Sequence, residues 1–411
     1  MIPNFKKAQT ASRKSLSLTK RNQVLKNLMK NLKKSSKEIV KANAKDLAKM
    51  SPTNSLYDRL LLTPERIDAI CADIRTVISL PDPTGKTIEK RALKNGLKME
   101  RRSVPLGVVG VIYEARPNVT VDVFSLCFKS GNAAVLKGGS DAENSNKAIV
   151  KVIKKSLSEA GVSKDYLYLM PSDRKYVEVL LKSEKYIDLI IPRGSQNLIR
   201  FVKENSLVPI IETGAGIVHT YVDNQFDLKT APEVIFNAKT HRPSVCNALD
   251  CLVIHEKSLP KLPKLTQKLT EKNVTIYADP KAYAKLTNKY PKNLLKKATK
   301  SHFGKEFLSL KMAIKTVRNL DEAVEHINTY SSRHSEAILS NSLKNQERFI
   351  NEVDASTVYT NASTRFTDGS VFGLGAEIGI STQKLHARGP FALDALTTYK
   401  WILRGKGHSR G

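Results

Sequence analysis

The sequence predicts an α/β protein in which a parallel β-sheet is covered by helices on both faces. Between residues 108 and 211, short apolar segments alternate with amphipathic segments, an order typical of a parallel sheet. The apolar share of 41% and the charged share of 26% are those of a globular protein, and 411 residues correspond to two or three domains. No apolar stretch reaches the ~18 residues of a membrane-spanning helix, so we expect no membrane protein.

The N-terminal part of the chain is predicted to be helical and to lead into a β-hairpin. Apolar residues recur at helical spacing from Val24 to Leu32 and again from Pro64 to Leu80. Residues 86–104 then change to a strand pattern around Asn95-Gly96, and Asn-Gly is the strongest short hairpin signal. This hairpin carries several basic side chains, among them Lys90, Arg91, Lys98, Arg101 and Arg102, so we expect it to project from the body as a ribbon.

The central part of the chain is predicted to alternate between strands and helices. The predicted strands are Val108–Tyr113, Ala133–Leu136, Tyr166–Leu169, Ile187–Ile191 and Val208–Ile211. The predicted helices between them are Val119–Lys129, Asn144–Ala160, Arg174–Lys182 and Ser195–Glu204. A second α/β stretch extends from Ile217 to Thr360, and Thr398–Leu403 is predicted to be an edge strand. Sheets of this kind bind ligands at the carboxyl ends of their strands.

The charge of the chain raises the alternative of a nucleic-acid-binding protein. The formal net charge is +29, which is high for a chain of this length. However, the lysines are spread over both ends of the chain with little aromatic interleaving, and arginine, the usual base-reading residue, is scarce. The pattern therefore favours lysines on solvated surfaces over a nucleic-acid site.

Cysteine usage and the N-terminus indicate a cytoplasmic protein. Four cysteines are too few to cross-link a chain of this length, so we expect reduced thiols. The first residues include Lys6 and Lys7 but no apolar core of a signal peptide.

The best phosphate-binding candidate is the turn Lys137-Gly138-Gly139-Ser140, between a predicted strand and a predicted helix. Glycines let backbone amides approach a phosphate, and the lysine adds positive charge. An ordinary strand–turn–helix corner explains the same pattern equally well. A second turn, Pro192-Arg193-Gly194-Ser195, also ends a strand and begins a helix.

The best nucleophile candidate is Cys246, which lies in a polar, proline-interrupted loop ahead of an apolar strand. A thiol nucleophile needs a neighbouring positive charge or base, and Arg242 and Glu212 are the candidates for these roles. Cys71 and Cys127 lie on amphipathic helices, and Cys251 lies inside the apolar strand, so we expect these three to be buried.

A zinc site is the competing interpretation of this segment. His241, Cys246, Cys251 and His255 form an H-x4-C-x4-C-x3-H run. Structural zinc ligands are usually two to four residues apart on a turn, whereas Cys251 and His255 fall in a predicted strand. We therefore expect no metal at these four residues.

Five long segments of the chain resemble the gamma-glutamyl phosphate reductase family, also called glutamate-5-semialdehyde dehydrogenase. They are Val104–Val123, Asn237–Asn247, Val358–Gly369, Phe372–Pro390 and Ala395–Trp401, and the likeness runs in order from about residue 5 to residue 403. This family belongs to the aldehyde dehydrogenase superfamily. The chain departs from its common pattern at Ser195, where glycine is usual, and at Ile217-Val218, where Asn-Cys is frequent.

The resemblance implies an aldehyde dehydrogenase-like fold with three parts. A Rossmann-type cofactor-binding domain is expected to comprise residues 1–85, 105–212 and 369–392. An α/β catalytic domain is expected at residues 213–368, and a β oligomerisation ribbon at residues 86–104 and 393–411. The hairpin and the final edge strand predicted above fit that ribbon.

The resemblance also implies roles for individual residues. The nucleophile falls on Cys246, the side-chain oxyanion donor on Asn118 and the glutamate base on Glu212. Cofactor binding falls on the two turns and one glutamate, at Lys137, Gly138, Gly139, Ser140, Gly194, Ser195 and Glu306. Substrate-binding positions are expected at Arg242, Ser363, Thr364 and Arg365.

The implied reaction is the NADPH-dependent reduction of L-glutamate 5-phosphate to L-glutamate 5-semialdehyde and phosphate, through a thioester on the cysteine. It is the second step of proline biosynthesis from glutamate. The implied partners are further copies of the chain and a functionally coupled, separate glutamate 5-kinase. Two alternatives stay open at this point: an aldehyde dehydrogenase that hydrolyses its thioester without phosphate, and a basic nucleic-acid-binding protein.

Overall fold

The chain folds into two compact units, each of α/β type, which confirms the predicted fold class. The computed structural model describes residues 1–52, 54, 57–374 and 376–410. Gly375, which belongs to the motif Phe372–Pro390, lies outside the described residues. The first unit comprises Met1–Thr213, Gly373–Gly379 and Phe391–Gly411, and the second comprises Gly214–Phe372 and Ile380–Pro390. Within the described residues, no helix is long and apolar enough to cross a membrane.

The first unit contains nine α-helices and seven strands in its described residues. The helices are α1 (Ile2–Ser12), α2 (Leu18–Lys34), α3 (Ser36–Leu47), α4 (Tyr57–Leu60), α5 (Pro64–Ser79), α6 (Asn118–Lys129), α7 (Glu143–Glu159), α8 (Lys175–Leu181) and α9 (Gln196–Asn205). The strands are β1 (Thr87–Ala92), β2 (Lys98–Pro105), β3 (Val108–Tyr113), β4 (Ala133–Gly138), β5 (Leu167–Leu169), β6 (Leu189–Arg193) and, near the C-terminus, β16 (Thr397–Arg404).

Four of these strands form a parallel sheet in the order β5-β4-β3-β6. Every residue of β3 and β4 is buried, which explains why both read as uninterrupted apolar runs. Tyr113 at the end of β3 is in register with Gly138 on one side and with Arg193 on the other. The carboxyl ends of three neighbouring strands therefore lie side by side.

The predicted fifth strand, Val208–Ile211, is not a strand. Only one bridge forms there, between Ile190 and Ile210. The residue at its centre is Pro209, which accepts a hydrogen bond from the amide of Ile190 through its carbonyl but has no amide to donate. The ladder therefore ends after the bonds on either side of Ile190.

The predicted hairpin forms an antiparallel ribbon in the order β1-β2-β16, so the C-terminal strand joins β2 of the same chain. Gly96, at the turn, has φ +87°, a conformation that glycine adopts without strain. Tyr399, Trp401 and Leu403 alternate along β16 and are about half exposed. The guanidinium of Arg101 lies over the rings of both Tyr399 and Trp401. The outer edge of the ribbon thus carries exposed apolar side chains.

The second unit is built on a seven-stranded parallel sheet in the order β10-β9-β11-β8-β7-β12-β13. Its strands are β7 (His219–Val222), β8 (Cys251–His255), β9 (Thr275–Ala278), β10 (Leu295–Lys297), β11 (Lys311–Val317), β12 (Ser335–Leu339) and β13 (Thr357–Thr360), followed by the short pair β14 (Gly379–Ser381) and β15 (Gly389–Phe391). Its helices are α10 (Ala231–Thr240), α11 (Leu262–Thr266), α12 (Pro280–Leu286), α13 (Leu320–Tyr330) and α14 (Leu343–Glu352).

Two apolar clusters flank the sheet of the second unit. One contains Leu252, Ile254, Ile276 and Ile314 with side chains of α10, α11 and α12. The other contains Tyr221, Val253 and Ile338 with side chains of α13 and α14. Alternate residues of β8 enter opposite clusters, so apolar side chains pack against both faces of the sheet. This packing makes the sheet a rigid support for the loops that precede β7 and β8.

Candidate active site

The turn Lys137–Ser140 lies at the carboxyl end of β4, as predicted, and a 3₁₀ turn at Ser140–Ala142 leads from it into α7. The ammonium group of Lys137 is buried and donates to the carbonyl of Ser172 at 2.8 Å. Burial lowers the pKa of Lys137 from its usual value. A Cβ on Gly138 would lie 2.4 Å from Nδ2 of Asn146, so only glycine fits there. A Cβ on Gly139 would meet nothing closer than 3.8 Å. A side chain at the second glycine would therefore make ordinary contacts, whereas one at the first would clash.

The turn Gly194-Ser195 follows β6 and begins α9, again as predicted. The hydroxyl of Ser195 accepts from the amide of Leu198 and so caps the helix. The amide of Ser195 donates to the carboxylate of Glu114 at 2.8 Å. A Cβ on Gly194 would lie 2.4 Å from that same carboxylate. Glu114, which the sequence reasoning did not single out, therefore accepts the hydrogen bond from the amide of the N-cap residue of α9.

Asn118 is the first residue of α6, directly after the loop that follows β3. Its side-chain nitrogen donates to Oδ2 of Asp122 at 3.0 Å. Burial raises the pKa of Asp122 to about 7, helped by the negative charge of Asp73. The amide of Asn118 is thus held by a carboxyl group one helical turn later.

Glu212 belongs to the first unit and pairs with a lysine of α9. Its carboxylate lies 3.0 Å from Nζ of Lys203, and its side chain is 18% exposed. The ion pair with Lys203 orients this carboxylate.

In the second unit, Cys246 lies in the loop between α10 and β8 and is partly exposed. The loop before β7 packs directly onto it: a Cβ on Gly216 would lie 1.5 Å from the carbonyl oxygen of Cys246 and 2.6 Å from its Cα. Glycine at position 216 is therefore a condition for this placement of the cysteine backbone.

The other three thiols are buried, as predicted, and burial raises the pKa of each. All four cysteines lie among the described residues, and Cys246 is the one that is not buried.

The residue after the cysteine ties this loop to the segment that follows β13. Nδ2 of Asn247 donates to the carbonyl of Thr367 at 2.8 Å, and the hydroxyl of Thr364 donates to the carbonyl of Asn247 at 2.8 Å. Ser363 is buried and its hydroxyl accepts from the amide of Arg365. Of the predicted substrate-binding residues, Ser363 and Thr364 are thus engaged within the protein.

Arg365 brings positive charge to the thiol, and Arg242 lies near Arg365. Burial lowers the pKa of Arg365, interaction with Cys246 opposes that shift, and Arg242 adds to it. Nε of Arg365 is buried and has no hydrogen-bond partner among the described residues. Arg242 itself is exposed. The pair leaves a donor and a positive charge available to an anion beside the sulfur.

Glu306 holds the glycine loop from the other side. Its Oε1 accepts from the amide of Gly216 at 2.8 Å. The next amide, that of Phe307, donates to Oδ1 of Asp250 at 3.0 Å. Sequence reasoning placed Glu306 at the cofactor, and in the structure its carboxylate also positions the loop that carries Gly216.

A buried ion pair beneath this loop was missed by the sequence reasoning. Nζ of Lys239 donates to the carbonyl of Leu249 at 2.7 Å and lies 3.6 Å from Oδ1 of Asp250. Burial lowers the pKa of Lys239 and raises that of Asp250. Lys239 lies in the motif that ends in the cysteine, and a charged residue on the apolar face of α10 was the available signal.

The structure gathers the predicted residues into two groups. The first unit carries the strand-end turns, Asn118 and Glu212, and the second unit carries the cysteine, the two arginines, Glu306 and the Ser363-Thr364 segment. Within the first unit, the cofactor candidates follow β4 and β6 and Asn118 follows β3, which are neighbouring strands of one sheet.

Comparisons with known proteins identify the family of the chain. The profile of the aldehyde dehydrogenase family matches residues 2–283. A protein of Chlorobium limicola named gamma-glutamyl phosphate reductase is 55% identical over 408 residues, which are 99% of this chain and 98% of that protein. One of the same name from Pelodictyon phaeoclathratiforme is 56% identical over 404 residues, 98% and 97% of the two chains. The crystal structure of the Thermotoga maritima gamma-glutamyl phosphate reductase is 42% identical, with a TM-score of 0.96 over 100% of this chain and 99% of that one.

Proposed function

The chain belongs to the gamma-glutamyl phosphate reductase family within the aldehyde dehydrogenase family, and on that premise we propose that it reduces L-glutamate 5-phosphate to L-glutamate 5-semialdehyde and phosphate. The family implies a nicotinamide cofactor. The observation that carries the proposal is the partly exposed thiol of Cys246, held against Gly216 and beside Arg365. The product would be the precursor of proline.

We propose that NADPH binds at the carboxyl edge of the four-stranded sheet. Gly138 and Gly139, which carry no side chain, fit a dinucleotide that approaches the backbone closely, and Lys137 fits the hydroxyls and phosphate of its adenosine ribose. Ser140 is exposed and would complete this turn. The amide of Ser195 is already bonded to Glu114, so the Gly194-Ser195 turn would contribute chiefly through its shape. Glu306 would contribute a carboxylate to a ribose.

The reaction begins with the thiolate of Cys246, which attacks the acyl carbon of the substrate. A carbon–sulfur bond forms, the carbon–oxygen bond to the phosphoryl group breaks, and phosphate leaves. Asn118 and the backbone amide of Cys246 are the proposed donors to the oxyanion, and one such donor contributes roughly 100–1,000-fold to the rate. Arg365 and Arg242 offer positive charge to the phosphate or the carboxylate of the substrate.

When bound beside the strand-end turns, a nicotinamide cofactor would supply the hydride that reduces the thioester carbonyl. Cys246 then leaves as a thiolate, which breaks the carbon–sulfur bond and releases the aldehyde. Because the thioester must survive until reduction, an efficient base for water would waste substrate. We therefore expect that Glu212, whose carboxylate pairs with Lys203, is not an essential base in the reductase.

We propose that the first unit is the cofactor-binding domain, the second the catalytic domain, and the β1-β2-β16 ribbon the site of oligomerisation. The exposed apolar residues along β16 support the last assignment, since an unpaired apolar edge favours pairing with another chain. Light scattering should show an oligomer at micromolar concentration, and a stable monomer would contradict this assignment. A separate glutamate 5-kinase is the proposed source of the labile substrate.

A reverse assay tests the proposed function most simply. Glutamate semialdehyde and NADP should yield NADPH in repeated turnovers only when inorganic phosphate is present, because phosphate must displace the Cys246 thiolate from the acyl group. Turnover that persists without phosphate would identify the alternative, an aldehyde dehydrogenase that hydrolyses its thioester.

The nucleic-acid alternative has its own test. The dispersed lysines predict that retention on DNA disappears near physiological salt, since scattered phosphate contacts weaken steeply with ionic strength. Tight binding to duplex DNA near physiological salt, without turnover of NADPH, would instead favour a nucleic-acid-binding protein.

A further inference from the structure

We propose that His219, Cys251 and His326 form a binding site for a zinc-class divalent cation inside the second unit, a site that the proposed reaction does not use. One candidate donor atom from each of the three residues lies within 4.8 Å of the others. All three residues are buried, and His219 and Cys251 have no exposed surface. The site would differ from the zinc run weighed in the sequence, which contained Cys251 but neither of these histidines.

The sheet places two of the three ligands side by side. His219 is the first residue of β7, Cys251 is the first residue of β8, and the two are directly in register. Residues in register on neighbouring parallel strands point to the same face of the sheet. On that face, Cys251 is next in register to Ala313 of β11, a small residue.

The third ligand comes from the helix that covers this face. His326 lies on α13, and its Nε2 is 3.8 Å from Sγ of Cys251. Zinc–sulfur and zinc–nitrogen bonds of tetrahedral sites imply a sulfur–nitrogen separation of about 3.6 Å. The rings of His219 and His326 meet edge to face, with centroids 5.7 Å apart. The pair Cys251–His326 is therefore already at ligand spacing.

A carboxylate orients His219 in the manner of a metal-bound histidine. Nδ1 of His219 lies 3.2 Å from Oε2 of Glu336, which is also fully buried and in register with His219 on β12. A carboxylate on one ring nitrogen fixes the tautomer and leaves the lone pair of the other nitrogen for a metal. Nε2 of His219 is buried and has no hydrogen-bond partner among the described residues. Besides the spacing of the three side chains, this unsatisfied nitrogen independently points to a bound cation.

The donor set suits zinc. Two imidazoles and a thiolate are borderline-soft ligands, and the fourth position would be left to water. Binding would replace the proton of the Cys251 thiol and release it to solvent. The charges of the thiolate and Glu336 would balance the cation, with Lys315 nearby.

The strand geometry excludes a single zinc site formed by the H-x4-C-x4-C-x3-H run of the sequence. Cys251 and His255 begin and end β8, so about 13 Å separates them along the strand. Nδ1 of His255 accepts from the amide of Lys257 instead. The two residues cannot share one ion.

The test is metal analysis and cobalt spectroscopy on the full chain without a histidine tag. Protein expressed with added Co²⁺ should hold one equivalent per chain, with visible bands of tetrahedral cobalt and a thiolate-to-cobalt charge-transfer band. Expression with metal is used because the ligands are buried. Cys246→Ser separates this site from the exposed thiol, and Cys127→Ser is the matched control for a buried cysteine.

We expect the cobalt bands to persist in Cys246→Ser and Cys127→Ser. The bands should vanish in Cys251→Ser and in His326→Phe, a substitution that keeps an aromatic ring. Glu336→Gln should weaken binding about 10–100-fold. If Cys251→Ser does not fold, X-ray absorption on zinc-loaded Cys246→Ser decides, with one sulfur and two imidazoles expected. Absence of bands in the wild type, or bands that vanish in Cys246→Ser and persist in Cys251→Ser, would overturn the proposal.

Discussion

Replacement of Gly216 by alanine is the sharpest test of how the nucleophile is positioned. The new Cβ would lie 1.5 Å from the carbonyl oxygen of Cys246 and 2.3 Å from its carbonyl carbon. Comfortable contact needs about 3.5 Å, so one of the two backbones must move by roughly 2 Å. Neither obstacle is a flexible side chain, so the movement must displace the cysteine, the glycine loop or both.

The expected loss of activity follows from that displacement. A misplacement of about 1 Å can cost on the order of 100-fold in rate, which is about 2.7 kcal/mol of barrier. The hydrogen bond from the Gly216 amide to Glu306 would be strained at the same time. We therefore expect kcat/KM of Gly216→Ala to fall by about 100-fold or more, with the far-ultraviolet circular dichroism spectrum unchanged.

The matched control is Gly304→Ala in the same unit. Its Cβ would lie 3.2 Å from a ring carbon of Tyr330, a side chain that can shift. This variant should stay within about threefold of the wild type. Gly216→Ala with activity as high as that of the control would refute the inferred packing of the glycine loop on the cysteine.

Three further outcomes are expected. Glu212→Gln should reduce phosphate-dependent turnover less than about tenfold, because a reductase that activated water at its thioester would waste substrate; a loss as large as that of a nucleophile variant would make Glu212 the essential base. Lys137→Ala should lose about 10–100-fold of the preference for NADPH over NADH, and equal losses with both cofactors would contradict the assignment. Burial lowers the pKa of His334 to about 4, so the unfolded chain binds this proton more readily than the folded chain. The contribution of His334 to the free energy of unfolding is therefore present above about pH 6.5 and is lost as the pH falls towards 4, by up to about 3 kcal/mol. Urea unfolding should therefore show a weaker acid dependence in His334→Asn, and an unchanged dependence would reject this cause.

Local patterns predicted most of the fold because each is decided within a few residues. The apolar runs of β3 and β4 identified a parallel sheet, and Asn95-Gly96 identified the hairpin. The one false strand, at Val208–Ile211, has the right composition but contains Pro209. Val208 and Ile211 are buried without a full ladder, because a proline lacks the amide that continued pairing needs.

The site was predictable where a side chain stood out against its own segment. Cys246 could be distinguished from the other thiols because it lies in a polar loop, and the strand-end turns were visible from their glycines. The contacts that position these residues join distant parts of the chain. Glu306 reaches Gly216 across 90 residues, and Glu114 reaches Ser195 across 81 residues, so no local pattern announces them. Their discovery requires the folded chain.

The reaction of Cys246 itself is the most direct test of the central claim. Cys246→Ser should lose several orders of magnitude of activity, because a hydroxyl is a far weaker nucleophile and a poorer leaving group at aldehyde release. NADPH binding, measured by fluorescence, should stay near the wild-type value, and Cys127→Ser should remain active. Iodoacetamide should label Cys246 first in the wild type, more slowly with substrate bound. Near-normal turnover of Cys246→Ser, or first labelling at another cysteine without loss of activity, would contradict covalent catalysis by this residue.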